Sequence, residues 1–410
     1  GSQRLWRGLT TVTASVLALA LCAQPLVSAN RTDLDKFLRT QSSKIVTDDS
    51  DSQDLFAYKS DYTSTTELLD AIEDLGERMS EEGTVLLKNN GALPLSAGEK
   101  GKVSLLGFSS YYPLMGGIMG SSLTPNQGTD ADSVDLVQAL TARGFTLNPD
   151  LQPLYQSLES TFATEVQTWA GSVTYNTLTA PSVGGVFSSK EPSQSALTGA
   201  DANWKNGLSD YNVMIVTIAR AASENATYLP GEAGVDPSQN LNQADPLGLS
   251  DDERDLIQAA VEAKGADGKV IVLLNSASAL EVQEIQDNDG VDAILQAGLP
   301  GGYGFYGVAD ILSGDANPSG HLSDTYAADI SASPAAQNFG NFEWTNPDPT
   351  TTTNSAIVQA EGIYMGYKYY ETRYADVVLG QGNAGAWDYD SEVTYPFGYG
   401  LSYTTFEQTL

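Results

Sequence analysis

The chain has 410 residues, a formal net charge of −32 and an apolar fraction of 41%. That length suggests two or three domains, and that apolar content supports a sizeable buried core. The charge argues against nucleic acid and anionic membrane surfaces, whose phosphates would be repelled, while a neutral partner such as a sugar is compatible with it.

Gly1-Ser2 reads as a cloning scar. Arg4 and Arg7 then lead an apolar stretch from Gly8 to Ala29 that ends in small residues. This is the pattern of an export signal, with cleavage after Ala29, and the stretch is also just long enough to stay as a membrane anchor. The expected location is therefore outside the cytoplasm, secreted or anchored at the cell surface. Cys22, the only cysteine, lies inside this stretch behind Leu21, the wrong residue type for lipoprotein processing. The rest of the chain has no thiol or disulfide chemistry. His321 is the only histidine, so a His/Cys zinc site is excluded and a Ser-His-Asp triad would depend on it alone. No metal site and no cofactor are expected. Asn30-Arg31-Thr32 and Asn225-Ala226-Thr227 fit the glycosylation acceptor pattern.

Residues 30–63 are polar and patternless, an irregular arm. Ser64-x-x-Glu67 forms a capping box, and Leu68, Leu69, Ile72, Leu75 and Met79 follow at helical spacing. "TVLLKN" and "KVSLLGF" read as strands, and "DSVDLVQALTARG" as a helix ending at Gly144. From about 150 to 205 the chain has no clear period and reads as an insertion of short elements. Alternation then returns. "NVMIVTI" is a strand, Ser250-x-x-Glu253 caps the helix "DERDLIQAAVEAKG", and "KVIVLL" is the next strand. A short helix over about Ala279 to Gln286, the strand "VDAILQAG" and the helix "YGVADILSG" complete the series. Continuous apolar strands alternating with amphipathic helices imply an α/β fold: a mainly parallel sheet with helices on both faces. Ligands of such sheets sit beyond the carboxyl ends of the strands, where Glu224 and Asn275 both fall.

Several motifs compete for chemistry. "GYGFYG" matches the dinucleotide turn G-x-G-x-x-G, yet it follows a late strand, and it reads as a tight turn with close helix–strand packing. Ser209-Asp210-Tyr211 resembles a glycosidase nucleophile segment, but it leads into a strand, so Asp210 is placed at the wrong edge. His321 reads as a loop histidine. "GGIMGSS" is a Gly/Ser loop after a strand, able to approach a ligand closely. Glu224 and Glu232 lie in "RAASENATYLPGEAGVD", where position alone leaves both as candidates.

The segments "EGTVLLKNNGALPL", "VMIVTIARAASE", "KVIVLLNSASALE", "VDAILQAGLPGGYG", "NPSGHLSDTY", "EGIYMGYKYYETRY" and "YPFGYGLSYTTF" occur in that order. Together they resemble the C-terminal α/β-sandwich domain of glycoside hydrolase family 3, the β-glucosidase family, over roughly residues 65–410. The resemblance implies a sandwich over 64–345, a linker and aromatic-rich segment over 346–390 that returns to it, and the start of a fibronectin type III-like domain over 391–410. No room for the family's barrel precedes residue 65, so the chain resembles the permuted, sandwich-first subgroup and is expected to be an N-terminal fragment. What the family implies is an exo-acting, retaining hydrolysis of terminal β-linked sugars by two carboxyl groups about 5–5.5 Å apart. The nucleophilic aspartate belongs to the barrel, and the proton donor is the Glu of an Arg-x-x-Gly-Glu-Gly pattern, which matches Glu224 counting from Arg220. Ser223 and Asn225 replace its glycines, and "YLPGEAGVD" echoes the pattern with Glu232 as its rival glutamate. Ser121 matches a sugar-contacting serine once one insertion is allowed. The partners implied are an oligosaccharide or β-glycoside substrate and the missing domains of the same polypeptide, with oligomeric state left open. The competing expectation is a sugar-binding or surface-interaction domain that keeps the fold without catalysis.

Overall fold

The computed structural model describes residues 3, 6–17, 61–116, 133–162, 164–168, 171–175, 191–220, 245–340, 342–345 and 351–405. The chain divides into two units, Gly1–Leu75 and Gly76–Leu410. In the first, residues 6–17 are helical, with Thr10, Thr11 and Thr13 each donating to the carbonyl four residues back. Among the described residues no helix is long and apolar enough to cross a membrane. Helix α1 (Thr65–Gly83) begins in this unit. Its Glu67 N–H donates to Ser64 Oγ, but the Glu67 carboxylate reaches back to the Thr63 N–H at 2.7 Å, one residue beyond the predicted partner.

The second unit is built on one sheet. Its strands in chain order are β1 (Val85–Asn89), β2 (Val103–Leu106), a separate hairpin of β3 (Thr164–Thr168) and β4 (Gly171–Tyr175), β5 (Val213–Arg220), β6 (Lys269–Ser276) and β7 (Ala293–Gln296). The five-stranded order is β1-β7-β6-β5-β2. Four strands are parallel, and β1 closes one edge antiparallel to β7. A backbone bridge joins Leu86 of β1 to Leu401, and another joins Val103 of β2 to Leu147.

The parallel strands are mostly apolar because both faces are covered. Alternate residues point to opposite sides. Leu105, Ile215, Leu273 and Leu295 pack with α2 (Leu136–Ala142) and α7 (Phe305–Ser313). Leu106, Val216, Val272 and Ile294 pack with α3 (Leu151–Ser157) and α5 (Asp251–Ala263). Between α3 and β5 lie the hairpin and α4 (Gln194–Ala200).

Some elements differ from the expected bounds. The strand "NVMIVTI" runs two residues further, to Arg220, because β6 pairs with it over its whole length. The helix expected over Ala279–Gln286 is only α6 (Gln283–Gln286). Leu280 and Val282 are spent on the core, and the Glu281 N–H bonds Leu247 O instead of starting a helical ladder. α2 begins at Leu136, where Asp135 caps it by accepting from the Gln138 N–H.

The glycine motif forms the expected tight turn, where a Cβ on Gly304 would stand 2.2 Å from Pro300 O, but its close packing has a different partner. A Cβ on Gly307 would stand 2.5 Å from Glu77 O and 2.8 Å from Glu81 N. The third glycine of "GYGFYG" therefore lets α7 approach the last turns of α1, which is helix–helix rather than helix–strand packing.

The C-terminal segments fold back onto this unit. β8 (Tyr326–Ala327) pairs with β11 (Val393–Tyr395), while β9 (Phe342–Thr345) and β10 (Thr351–Ala356) form a hairpin and α8 (Tyr367–Val378) lies between. The Leu401 N–H donates to Leu86 O at 2.8 Å, and Leu322 donates to Tyr399 O. A Cβ on Gly400 would meet Gly320 O at 2.3 Å, and one on Gly320 would meet Thr84 O at 2.5 Å. Backbone stacked on backbone in this way leaves no room for a side chain at either glycine.

Candidate active site

The carboxyl ends of β2, β5, β6 and β7 lie at one edge of the sheet because these strands are parallel. Glu224, Glu232 and Ser121 lie outside the described residues, and so does their geometry. The segments that carry them leave from this edge: residues 221–244 follow β5, and the Gly/Ser loop follows β2. β2 and β5 are direct neighbours, with Leu106 paired to Val216.

Arg220 ends β5 and is only 1% exposed. All five of its guanidinium N–H groups have acceptors. Nε donates to Pro246 O at 2.8 Å. Nη1 donates to Ala219 O at 2.7 Å and to Glu253 Oε1 at 2.6 Å. Nη2 donates to Gly248 O and to Glu253 Oε2. The strand end and the return limb 245–248 are thus held by one side chain, with residues 221–244 between them. Glu253 completes the clamp. It is the third residue of α5, is 1% exposed, and also accepts from the Ser250 N–H at 2.8 Å. The capping box read from the sequence is present, but its carboxylate serves the guanidinium as well as the helix end.

The turn after β2 is anchored by buried groups. Gly107, at φ +96°, passes so close to β5 that a Cβ would lie 2.7 Å from Thr217 O. Its N–H donates to Tyr155 Oη at 2.9 Å, and the next N–H, of Phe108, donates to Glu191 Oε2 at 3.0 Å. Burial pushes Glu191 well above the usual carboxylate range and Tyr155 well above the usual phenol range. The other oxygen of Glu191 has no hydrogen-bond partner among the described residues.

Asn275 lies inside β6 rather than just past it, and its side chain is fully buried. Its Oδ1 accepts from the Leu114 N–H at 2.7 Å, while Nδ2 donates to Leu114 O at 2.8 Å and Gly298 O at 2.7 Å. It joins the β2 turn to the β7 turn, so it organises the edge, and both of its donors are committed to backbone carbonyls. Beside it, a cavity of about 280 Å³ opens between the ends of β6 and β7 and the 321–326 segment, lined in part by Ser276, Gln296, His321 and Asp324. His321 is exposed, with Nδ1 2.9 Å from Ser319 O. Burial raises Asp324 above the usual carboxylate range. Asp210 is exposed before the first residue of β5, at the opposite edge.

Among the described residues, Glu77, Glu81 and Asp310 are close enough to share a cation. Arg143 already stands among them, at 2.6 Å from Asp310 and 2.8 Å from Glu77, so a guanidinium fills the role a metal would take.

Residues 84–403 match the glycosyl hydrolase family 3 C-terminal domain. The chain belongs to glycosyl hydrolase family 3. Its relatives in the family include an exo-α-(1→6)-L-arabinopyranosidase from Bifidobacterium breve, 26% identical over 83% of this chain and 35% of the relative. A β-glucosidase from Ruminococcus albus is 29% identical over 47% of this chain and 17% of that protein. The structure of β-glucosidase 3B from Thermotoga neapolitana in complex with glucose superposes with a TM-score of 0.58 at 28% identity, covering 83% of this chain and 39% of that one. The family's α/β-sandwich fold is the one observed, and the chain spans about a third or less of these two curated relatives' length.

The Arg220–Glu253 clamp, Glu191 and the bridging role of Asn275 were not read from the sequence as site features. For the clamp a signal existed: an Arg at the end of an apolar strand that is to be buried needs a carboxylate, and Glu253 opens the next helix.

Proposed function

We propose that this chain is the acid/base half of an exported, exo-acting, retaining β-glycosidase that removes terminal β-linked sugars. The observation that carries the reading is the Arg220 clamp, which fixes both ends of the segment bearing Glu224 and Glu232 at the ligand edge of a family 3 sandwich. Glu224 is the proposed proton donor and Glu232 its rival, with Ser121 contacting the sugar from the neighbouring loop. The nucleophilic aspartate comes from a barrel domain elsewhere in the polypeptide, in keeping with the small share of its relatives' length that this chain spans.

In this reading an aspartate of the barrel attacks the anomeric carbon while Glu224 gives its proton to the leaving oxygen. Glu224 then takes a proton from the water that releases the sugar. A donor of this kind must keep its proton near neutral pH, which requires a partly desolvated site. The apolar signal at residues 4–29 directs the enzyme out of the cytoplasm, as secreted or anchored protein.

The test uses the complete enzyme. Glu224→Gln is expected to slow hydrolysis of substrates with poor leaving groups by about 10²–10⁴-fold, the range for a lost general acid. Aryl glycosides with activated leaving groups are expected to be much less affected in the first step. The same loss in Glu232→Gln, with Glu224→Gln unchanged, would transfer the role to Glu232. Unchanged turnover in both variants would refute the assignment.

A further inference from the structure

We propose that Glu281 is a positioning residue for the acid/base segment, tying its return limb to the segment that starts at Asp329. The proposal rests on the functional reading above only in calling 221–244 the acid/base segment; the tie itself is observed. Glu281 lies between β6 and α6. Its neighbours Leu280 and Val282 are buried in the core, which fixes the direction of the residue between them. Its N–H donates to Leu247 O at 2.9 Å. Its Oε2 lies over Gly248, so close that a Cβ there would be 3.3 Å away. Its Oε1 accepts from the Ile330 N–H at 2.7 Å.

Two residues therefore hold the same return limb. Arg220 takes the carbonyls of Pro246 and Gly248. Glu281 takes Leu247 through its backbone and covers Gly248 with its carboxyl group. Arg220 fixes where the segment leaves β5 and returns, and Glu281 fixes the return limb to a second part of the domain, at Ile330.

The surroundings of Glu281 are acidic. Asp245 faces it from the return limb, Asp329 from the turn that Ile330 opens, and Glu284 from α6. Arg254 of α5 is committed to Glu284 at 2.8 Å and to Asp251 at 2.9 Å. Burial first, and these carboxylates second, push Glu281 up to about 7, against one lowering contact from the Ile330 N–H. The sign follows. The folded chain keeps a proton that the unfolded chain loses from about pH 4.3 upward. The tie is intact at low pH and weakens as pH rises toward 7, because an ionised Glu281 must stand against Asp245 and Asp329.

The experiment compares wild type, Glu281→Gln and Glu281→Ala, at matched pH. Amide hydrogen exchange is read on this chain at pH 6 and pH 8, and the pH profile of kcat/KM on the complete enzyme. Alanine removes the acceptor of the Ile330 N–H, so exchange at Ile330 is expected to rise at least tenfold at pH 6 and by less at pH 8, where ionisation has already weakened the tie. Glutamine keeps an acceptor without a charge, so it is expected to exchange more slowly than wild type at both pH values, by a factor about three- to tenfold larger at pH 8 than at pH 6. In the complete enzyme, glutamine is expected to move the alkaline limb of kcat/KM to higher pH. Exchange unchanged in both variants would overturn the tie. Changed exchange with unchanged kcat/KM profiles would overturn the positioning role. Glu224→Gln reports separately on the acid/base reading, because the exchange experiment does not depend on turnover.

Discussion

Replacing Glu253 with alanine tests the clamp directly. The change strands the Arg220 guanidinium at 1% exposure with two N–H groups unpaired, at positions now 2.6 and 2.8 Å from carboxylate oxygens. Arginine cannot shed its charge, so the remaining cation has no neutral form to fall back on. Breaking a buried pair from one side costs about 3–5 kcal/mol, a large part of the roughly 5–15 kcal/mol that holds a domain folded. Glu253→Gln keeps the shape and one acceptor, and is expected to cost less, about 1.5–3 kcal/mol, the range for a hydrogen bond to a charged group. Urea unfolding of this chain at pH 7, in low and high salt, reads both values. Because the pair is buried, the loss should persist in salt that screens surface charges. Glu284→Ala is the internal control: its pair with Arg254 is 44% exposed on both sides, and its loss should cost no more than about 1 kcal/mol. A loss below about 1 kcal/mol for Glu253→Ala, or one that high salt abolishes, would refute the buried clamp.

Two further outcomes are expected. At Glu191, whose raised value makes the folded chain hold a proton the unfolded chain gives up, wild-type stability should fall as pH rises above about 4.3. Glu191→Gln should flatten that slope, while Glu191→Leu should cost about 1–3 kcal/mol by stranding the Phe108 N–H; unfolding curves from pH 5 to pH 8 distinguish them. Gly400→Ala inserts a carbon 2.3 Å from Gly320 O, so it should destabilise by about 1–3 kcal/mol, measured by thermal unfolding, whereas Gly382→Ala, with open space around it, should change little.

The sheet was legible because each parallel strand is a continuous apolar run, and the helices because their caps and apolar spacing agree. Legibility failed where a residue's partner is distant in sequence. Arg220 could be counted from, as a motif position, but its acceptors Pro246, Gly248 and Glu253 lie 26 to 33 residues on. Asn275 stands near the carboxyl end of β6, and its bonds to Leu114 and Gly298 make it a brace. The expected helix from Ala279 failed because Leu280, Glu281 and Val282 each have a tertiary partner that overrides local preference. "GYGFYG" could not be resolved from spacing, since the reason for Gly307 is the backbone of another helix. For the proposed proton donor, composition leaves Glu224 and Glu232 equivalent, and the family pattern counted from Arg220 separates them.

The two backbone bridges at the margins of the sheet bear on how this domain meets other proteins. An outer strand with free N–H and C=O groups is a template for another chain to add to, and natural sheets blunt it with short strands, lysines, irregular register and covering segments. β1 has five residues, carries Lys88, shifts register between Leu86 and Lys88, and is met by Leu401. β2 has four residues and is met by Leu147. Neither margin offers a row of open backbone groups for strand addition. Association through either margin of this sheet must then run through side-chain surfaces, and a version of the chain lacking the Tyr399–Tyr403 stretch would uncover β1 and become prone to aggregate.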